Sequence, residues 1–180
     1  ALKAAGPREV RVVVGFGEAL VRQICEPLGA VCFKQEKQLG TADAVRSAQV
    51  DSLEGEVVIL NGDHPLMEAG DITGFVKAFR EAKADVAVVT CELEDPASFG
   101  RIVRHQGRLQ AIVEMKDASH ETRKIREVNT GIYVVKSNIL ASLLPEIKSH
   151  NAQGEFYLTD LIALAVEGGF RVEGLKADPR

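Results

Sequence analysis

Three short stretches carry the residue types that could do chemistry: Gln35 to Thr41, Asn61 to Pro65, and Glu127 to Gly131. Each is expected at the end of a strand, where an open parallel α/β sheet places its ligands. Gly40 and Thr41 stand at the mouth of a helical run and could offer a backbone N–H and a hydroxyl to a base or a phosphate. Read plainly, Thr41 is the N-cap of that helix. Asp43 suits the first helical turn, but its carboxylate would repel a phosphate held there, so residues 40 and 41 suit an uncharged base better than a triphosphate. Asp63, in a turn fixed by Gly62 and Pro65, could hold Mg²⁺, a hard ion that prefers oxygen ligands. The plain alternative is a carboxylate bonded to backbone N–H groups of its own turn.

Glu114, Asn129 and Gly100 make a further set. A carboxylate, an amide and an unobstructed backbone are the groups that grip a polyhydroxylated sugar. Taken singly they also read as a solvated glutamate and a turn asparagine. His64, His105, His120 and His150 lack metal-ligand spacing, and no glycine pattern of a nucleophile elbow is present.

The elements that must position these residues alternate. EVRVVVG reads as a strand and EALVRQICEPL as a helix; a short strand at Val31 to Lys34, a helix from about Ala42 to Leu53 and a buried strand EVVIL follow. DITGFVKAFREAK sets Ile72, Phe75, Val76 and Phe79 on one helical face, and ADVAVVTCEL is a strand. After Pro96, two extended runs joined by HQGR predict an antiparallel hairpin. EVNTGIYVV, SNILASLLPEI, EFYLTDLIALAVEGG and FRVEGL then read as strand, helix, helix and strand, with a polar loop at residues 149 to 154. The expectation is an α/β fold: a mainly parallel sheet, helices on both faces, a small hairpin excursion, and a single domain over residues 1–180.

At 180 residues and 46% hydrophobic content the chain can bury a substantial core. A net charge of −4, with Lys and Arg scattered among the acids, gives no field for nucleic acid. No apolar run approaches the roughly 20 residues of a membrane span, and ALKAAGPREV lacks the apolar stretch of a secretory signal, so a cytoplasmic location is expected. Cys25, Cys32 and Cys91 form no C-x-x-C pair and are expected to be buried thiols.

QLGTADAV, LNGDHPLM, FGRIVR, IVEMKDAS, EVNTGIYVV and NAQGEFYLTDLIALA, in this order, resemble the uridyltransferase domain of bacterial N-acetylglucosamine-1-phosphate uridyltransferases, from about Val12 to the end. The resemblance implies a Rossmann-like nucleotide-diphospho-sugar transferase fold and Mg²⁺ as cofactor. It implies that UTP and N-acetylglucosamine 1-phosphate become UDP-N-acetylglucosamine and pyrophosphate. It places Gln35, Gly40 and Thr41 against uracil, Gly62 and Asp63 near the nucleotide and Mg²⁺, and Gly100, Glu114 and Asn129 on the sugar.

The departures are equally specific. The family's first strand, its L-x-A-G-x-G-T-R-M loop and the P-K pair that holds the triphosphate are not in this sequence. Its downstream Mg²⁺-binding asparagine and its hexapeptide-repeat half are also missing, and position 43, commonly histidine, is aspartate. These departures lead to the expectation of a chain truncated at both ends and weak or inactive alone. A gap in the sheet would then invite homo-oligomerisation. The competing expectation is a non-catalytic module that binds a nucleotide sugar.

Overall fold

The computed structural model describes residues 2–64 and 66–178, so Pro65 lies outside the described residues. The β-branched runs become two sheets. Strand β1 (Arg11–Val14) pairs in parallel with β2 (Val31–Lys34) across helix α1 (Glu18–Cys25). The larger sheet holds β3 (Glu56–Ile59), β4 (Val86–Glu92), the hairpin β5 (Arg101–His105) and β6 (Arg108–Val113), β7 (Glu127–Lys136) and β8 (Val172–Lys176). Its order is β6-β5-β7-β4-β8, with β3 beside the second half of β7.

The mainly parallel pairing expected for the sheet is corrected here. β3, β4 and β8 run one way, as the alternation implies, but β7 runs against them between β3 and β4. Parallel pairing is thus confined to β1 with β2 and β4 with β8. The hairpin is the cause, because it reverses the chain before β7 forms. Its turn is tight, with Gln106 and Gly107 both at positive φ (50° and 78°), the geometry a two-residue hairpin needs.

Helices cover both faces of the larger sheet. On one, α2 (Thr41–Ser47), α5 (Ser137–Leu143) and α6 (Asp160–Glu167) pack over Val86, Val88, Tyr133 and Val135. On the other, α3 (Ala69–Glu81) lays Phe79, Phe75 and Val76 over Ala87 and Val134. The alternation of neighbours along β4 and β7 between these two cores is the period-2 signature of a sheet buried on both sides. Helix α3 starts with a reciprocal capping box between Glu68 and Asp71.

Four expectations shift. The helix from Ala42 ends at Ser47, because Gln49 turns to φ 55° and the Ala48 and Gln49 carbonyls accept from the Arg11 guanidinium at 2.7 and 2.6 Å. The helix read from Glu155 starts at Asp160, because Phe156 to Leu158 are held instead by Leu39, Thr41 and Ala42. β3 is half-buried rather than buried: one of its edges faces a trough of about 1890 Å³ that separates it from β1. The three cysteines are half-buried and free.

Candidate functional site

Thr41, Asn61, Asp63, Gly100, Glu114, Asn129 and Thr159 line one cavity of about 390 Å³. The trough beside it is lined by β1, Gln35, β3 and Gly62, and shares Thr41, Asn61, His64 and Leu158 with the cavity. The residues read from the sequence, Gly40 excepted, therefore gather in two adjoining spaces.

Gly100 ends the loop before β5, and its carbonyl accepts from the Asn129 N–H at 2.9 Å. A Cβ on Gly100 would stand 3.0 Å from Ile112 and 3.4 Å from both Glu114 carboxylate oxygens, so glycine here keeps the carboxylate in place. The loop itself is clamped by Arg101, buried at 2% exposure, whose guanidinium donates to the carbonyls of Pro96, Ala97, Phe99 and Arg123.

Glu114 lies just past the end of β6 and is half-buried rather than solvated. Burial pushes its carboxyl above the usual range, the Thr159 hydroxyl draws it partly back, and the charges of Asp117 and Asp160 add to the rise. Asp160 is raised for the same first reason, burial, with Asp117 second. Tyr133 beneath them is held neutral by burial and by the Glu114 charge. The Thr159 hydroxyl approaches Glu114 but has no partner at hydrogen-bonding geometry.

Asn129 lies within β7, not at a strand end. Its Oδ1 accepts from Gly131 N–H at 2.8 Å, the local bond expected of a turn asparagine. The strand bulges there: Val88 faces Tyr133 and Thr90 faces Asn129, so Thr130 to Ile132 stand opposite Val89 alone. Gly131 adopts φ 79°, and a Cβ on it would collide with the Asn61 amide. The glycine in the middle of EVNTGIYVV was the available signal for this bulge.

At the nucleotide end, Gly40 is the N-cap of α2 and Thr41 its first residue, which corrects the assignment of Thr41 as cap. Thr41 Oγ1 instead accepts from Leu158 N–H at 2.9 Å. Gly40 takes φ 117°, and a Cβ there would come within 2.5 Å of the Phe156 carbonyl oxygen, so the need for glycine is met by the protein's own packing. Gln35 donates to the Gly40 carbonyl and to Asp43.

Asp63 has an 87% exposed side chain, 3.5 Å from His64 Nδ1, and no hydrogen bond to its own turn is found among the described residues. No group of three or more His, Cys, Asp or Glu able to hold a metal occurs among them either. One exposed carboxylate suits a Mg²⁺ ion that arrives with a phosphate ligand, since such ions use one or two protein carboxylates plus substrate oxygens. Sequence reading missed Thr159 and Tyr133 as walls of the cavity, and singled out Thr130 and His64 only as parts of their stretches. His64 is fixed there by Nε2 against the Thr130 carbonyl at 2.8 Å and Nδ1 against the Asn61 carbonyl at 3.1 Å.

A mixed sheet sandwiched by helices, with a polar cavity beside a trough at the strand ends, is the build of a nucleotidyl-transferring α/β protein. Residues 17–177 match the nucleotidyl transferase family model, and the chain belongs to that family. It is 57% identical over its whole length to a protein of Bdellovibrio bacteriovorus named "Bifunctional protein GlmU", covering 39% of that protein. It is 43% identical over 174 residues to the protein of the same name in Carboxydothermus hydrogenoformans, with 96% of this chain and 39% of the relative covered. The chain thus spans about two fifths of the length of these relatives. A crystal structure of a putative glucose-1-phosphate thymidylyltransferase from Bacillus anthracis, in complex with a sucrose, superposes with a TM-score of 0.71. At 20% identity, with 99% of this chain and 71% of that one covered, it establishes the shared fold. No helix among the described residues is long and apolar enough to cross a membrane.

Proposed function

We propose that this chain is a uridylyl-transferring domain, a single domain over residues 1–180, for making UDP-N-acetylglucosamine. The observation that carries the reading is the shared cavity: Thr41 and Asp63 from the nucleotide set stand on the same walls as Gly100, Glu114 and Asn129 from the sugar set. A ligand that joins a nucleotide to a sugar through phosphates needs that continuity. Gln35 and Thr41 face the base, with Gly40 packed against Phe156; Gly62 and Asp63 face the phosphates, and Gly100, Glu114, Asn129 and Thr159 the N-acetylglucosamine hydroxyls and amide.

In the reaction a phosphate oxygen of N-acetylglucosamine 1-phosphate forms a bond to the α-phosphorus of UTP, the bond to the bridging oxygen breaks, and pyrophosphate leaves with the electron pair. No protein nucleophile takes part, so the contribution of these residues is alignment and charge placement. Mg²⁺, held in part by Asp63, would supply neutralisation of phosphate charge. Glu114 and Asn129 would fix the sugar so that its phosphate points toward the turn at Asn61 to Asp63.

Among the described residues, no Lys or Arg lines the cavity. In the trough, Arg11 is engaged with Glu9 and backbone carbonyls, Arg80 with Glu56 and Lys136 with Asp85, which leaves Arg8, exposed and with no ion pair among the described residues. This shortage of available cations favours slow transfer by the isolated chain, and it supports the second reading, a module that binds a nucleotide sugar without transfer. Exposed Leu20, Ile24 and Leu28, four residues apart, and the open edges of β1 and β3 support self-association, which light scattering would register. A cytoplasmic location fits the three free cysteines.

Calorimetric titration with UDP-N-acetylglucosamine and Mg²⁺ tests the proposal. Binding weakened by both Asp63→Ala and Glu114→Ala is the expected result. Absence of heat at millimolar ligand from the folded protein would overturn it.

A further inference from the structure

Gln35 and Asp43 form a pair whose geometry decides more than local packing. Gln35 follows β2, is only 8% exposed, and aims Nε2 at two acceptors, Asp43 Oδ2 at 2.8 Å and the Gly40 carbonyl at 3.1 Å. A carboxylate has no hydrogen to give, so the amide cannot be turned end for end. Its NH₂ is committed to Asp43 and Gly40, and Oε1 has no partner among the described residues. Gln35 borders the trough at the nucleotide end. A hydrogen bond to a charged partner is about twice as strong as a neutral one, which makes this orientation firm.

We propose that Asp43 is a positioning residue for base selection: by fixing Gln35 as an acceptor, it makes the site take a pyrimidine whose ring N3 carries a hydrogen. The inference rests on the uridylyl reading. Uracil has an N3–H to give to Oε1. Cytosine has a lone pair at N3, which would face the Gln35 oxygen with no hydrogen between them. A site built to pair a ligand N–H rejects the analogue without it strongly, because its own polar group is then left unpaired.

The test compares dissociation constants of UMP and CMP, measured on the 180-residue chain by NMR titration, for the wild type, Asp43→Asn and Asp43→Lys. The wild type is expected to prefer UMP by about tenfold or more. Asp43→Asn should keep most of that preference, because its oxygen still accepts from Gln35. Asp43→Lys offers only donors, draws Oε1 inward and should lower the UMP/CMP ratio about tenfold. If thermal melts show Asp43→Lys unfolded, Asp43→Leu replaces it, with an expected drop of about threefold from loss of one of two acceptors.

A purely structural role for Asp43 would weaken both nucleotides together, and an unchanged ratio in Asp43→Lys, or in Asp43→Leu if that variant replaces it, overturns the inference. A wild type that binds both nucleotides equally overturns it too, while leaving the uridylyl reading intact if UDP-N-acetylglucosamine still binds. Failure of all three ligands overturns both.

Discussion

The sugar end and the nucleotide end of the candidate site are built to different standards. At the sugar end Gly100 and Thr159 are buried, Glu114 is half-buried, and Arg101 ties down the loop by four carbonyls. At the nucleotide end Asn61, Gly62 and Asp63 are exposed, and the trough separates β1 from β3. The first end is organised before any ligand arrives. The Asn61 to Asp63 turn of the second is open to solvent, so equal contacts there should yield less affinity.

Glu114→Gln should show the largest effect. Affinity for N-acetylglucosamine 1-phosphate falls about 30-fold, the worth of hydrogen bonds to a charged group, while UMP affinity stays within about twofold. Stability moves the other way. With its folded pKa raised by burial, Glu114 makes the wild type lose stability as pH climbs from the ordinary carboxylate value of 4.5 through the raised one. Chemical denaturation across that window should show this fall in the wild type and a smaller one in Glu114→Gln. An equal loss of UMP affinity would erase the contrast between the ends.

Arg104→Ala probes neither end and serves as the control. Glu127, buried beneath Thr90, holds Arg104 in a two-pronged pair at 2.7 and 2.8 Å, which keeps its carboxyl below the usual range. Because Arg104 retains 27% side-chain exposure, its removal should cost about 2 kcal/mol, below the range for a fully buried pair. Urea unfolding measures the loss, and both ligand affinities should hold.

Gly100→Ala should weaken the sugar phosphate by about tenfold by pushing Glu114 aside, and calorimetry would register it without change in UMP binding. Smallest of all, Asp63→Ala should reduce the Mg²⁺-dependent gain in UDP-N-acetylglucosamine affinity by about threefold, because so exposed a carboxylate is well screened. A larger effect for Asp63 than for Glu114 would reverse the ranking of the two ends.

Much of this was legible in the sequence where periodicity and chemistry agreed. The strands around Val86 to Glu92 and Glu127 to Lys136, the face of α3 and the tight hairpin at Gln106-Gly107 all follow from local patterns. The direction of β7 does not, since pairing depends on strands far apart in the chain. Nor does the stop in α2, which a distant arginine on β1 enforces. Gly40 was read for the backbone N–H it could offer, and no local pattern showed that Phe156 packs where its side chain would stand. Glu114 and Asn129 were found by residue type, but Thr159, in a stretch read as helix, was hidden by that reading.

The position of β8 has a consequence for how the molecule is made. Val86 to Thr90 in β4 pair with Val172 to Lys176, so an edge of the most buried strand is closed by residues more than eighty positions further on. During synthesis, at about 5–20 residues per second, β4 leaves the ribosome several seconds before its partner exists. Over that interval a run of Val and Ala with an open edge is available to other nascent chains. Shortening the wait, by faster codons between the two strands, should raise the soluble yield without altering a single residue.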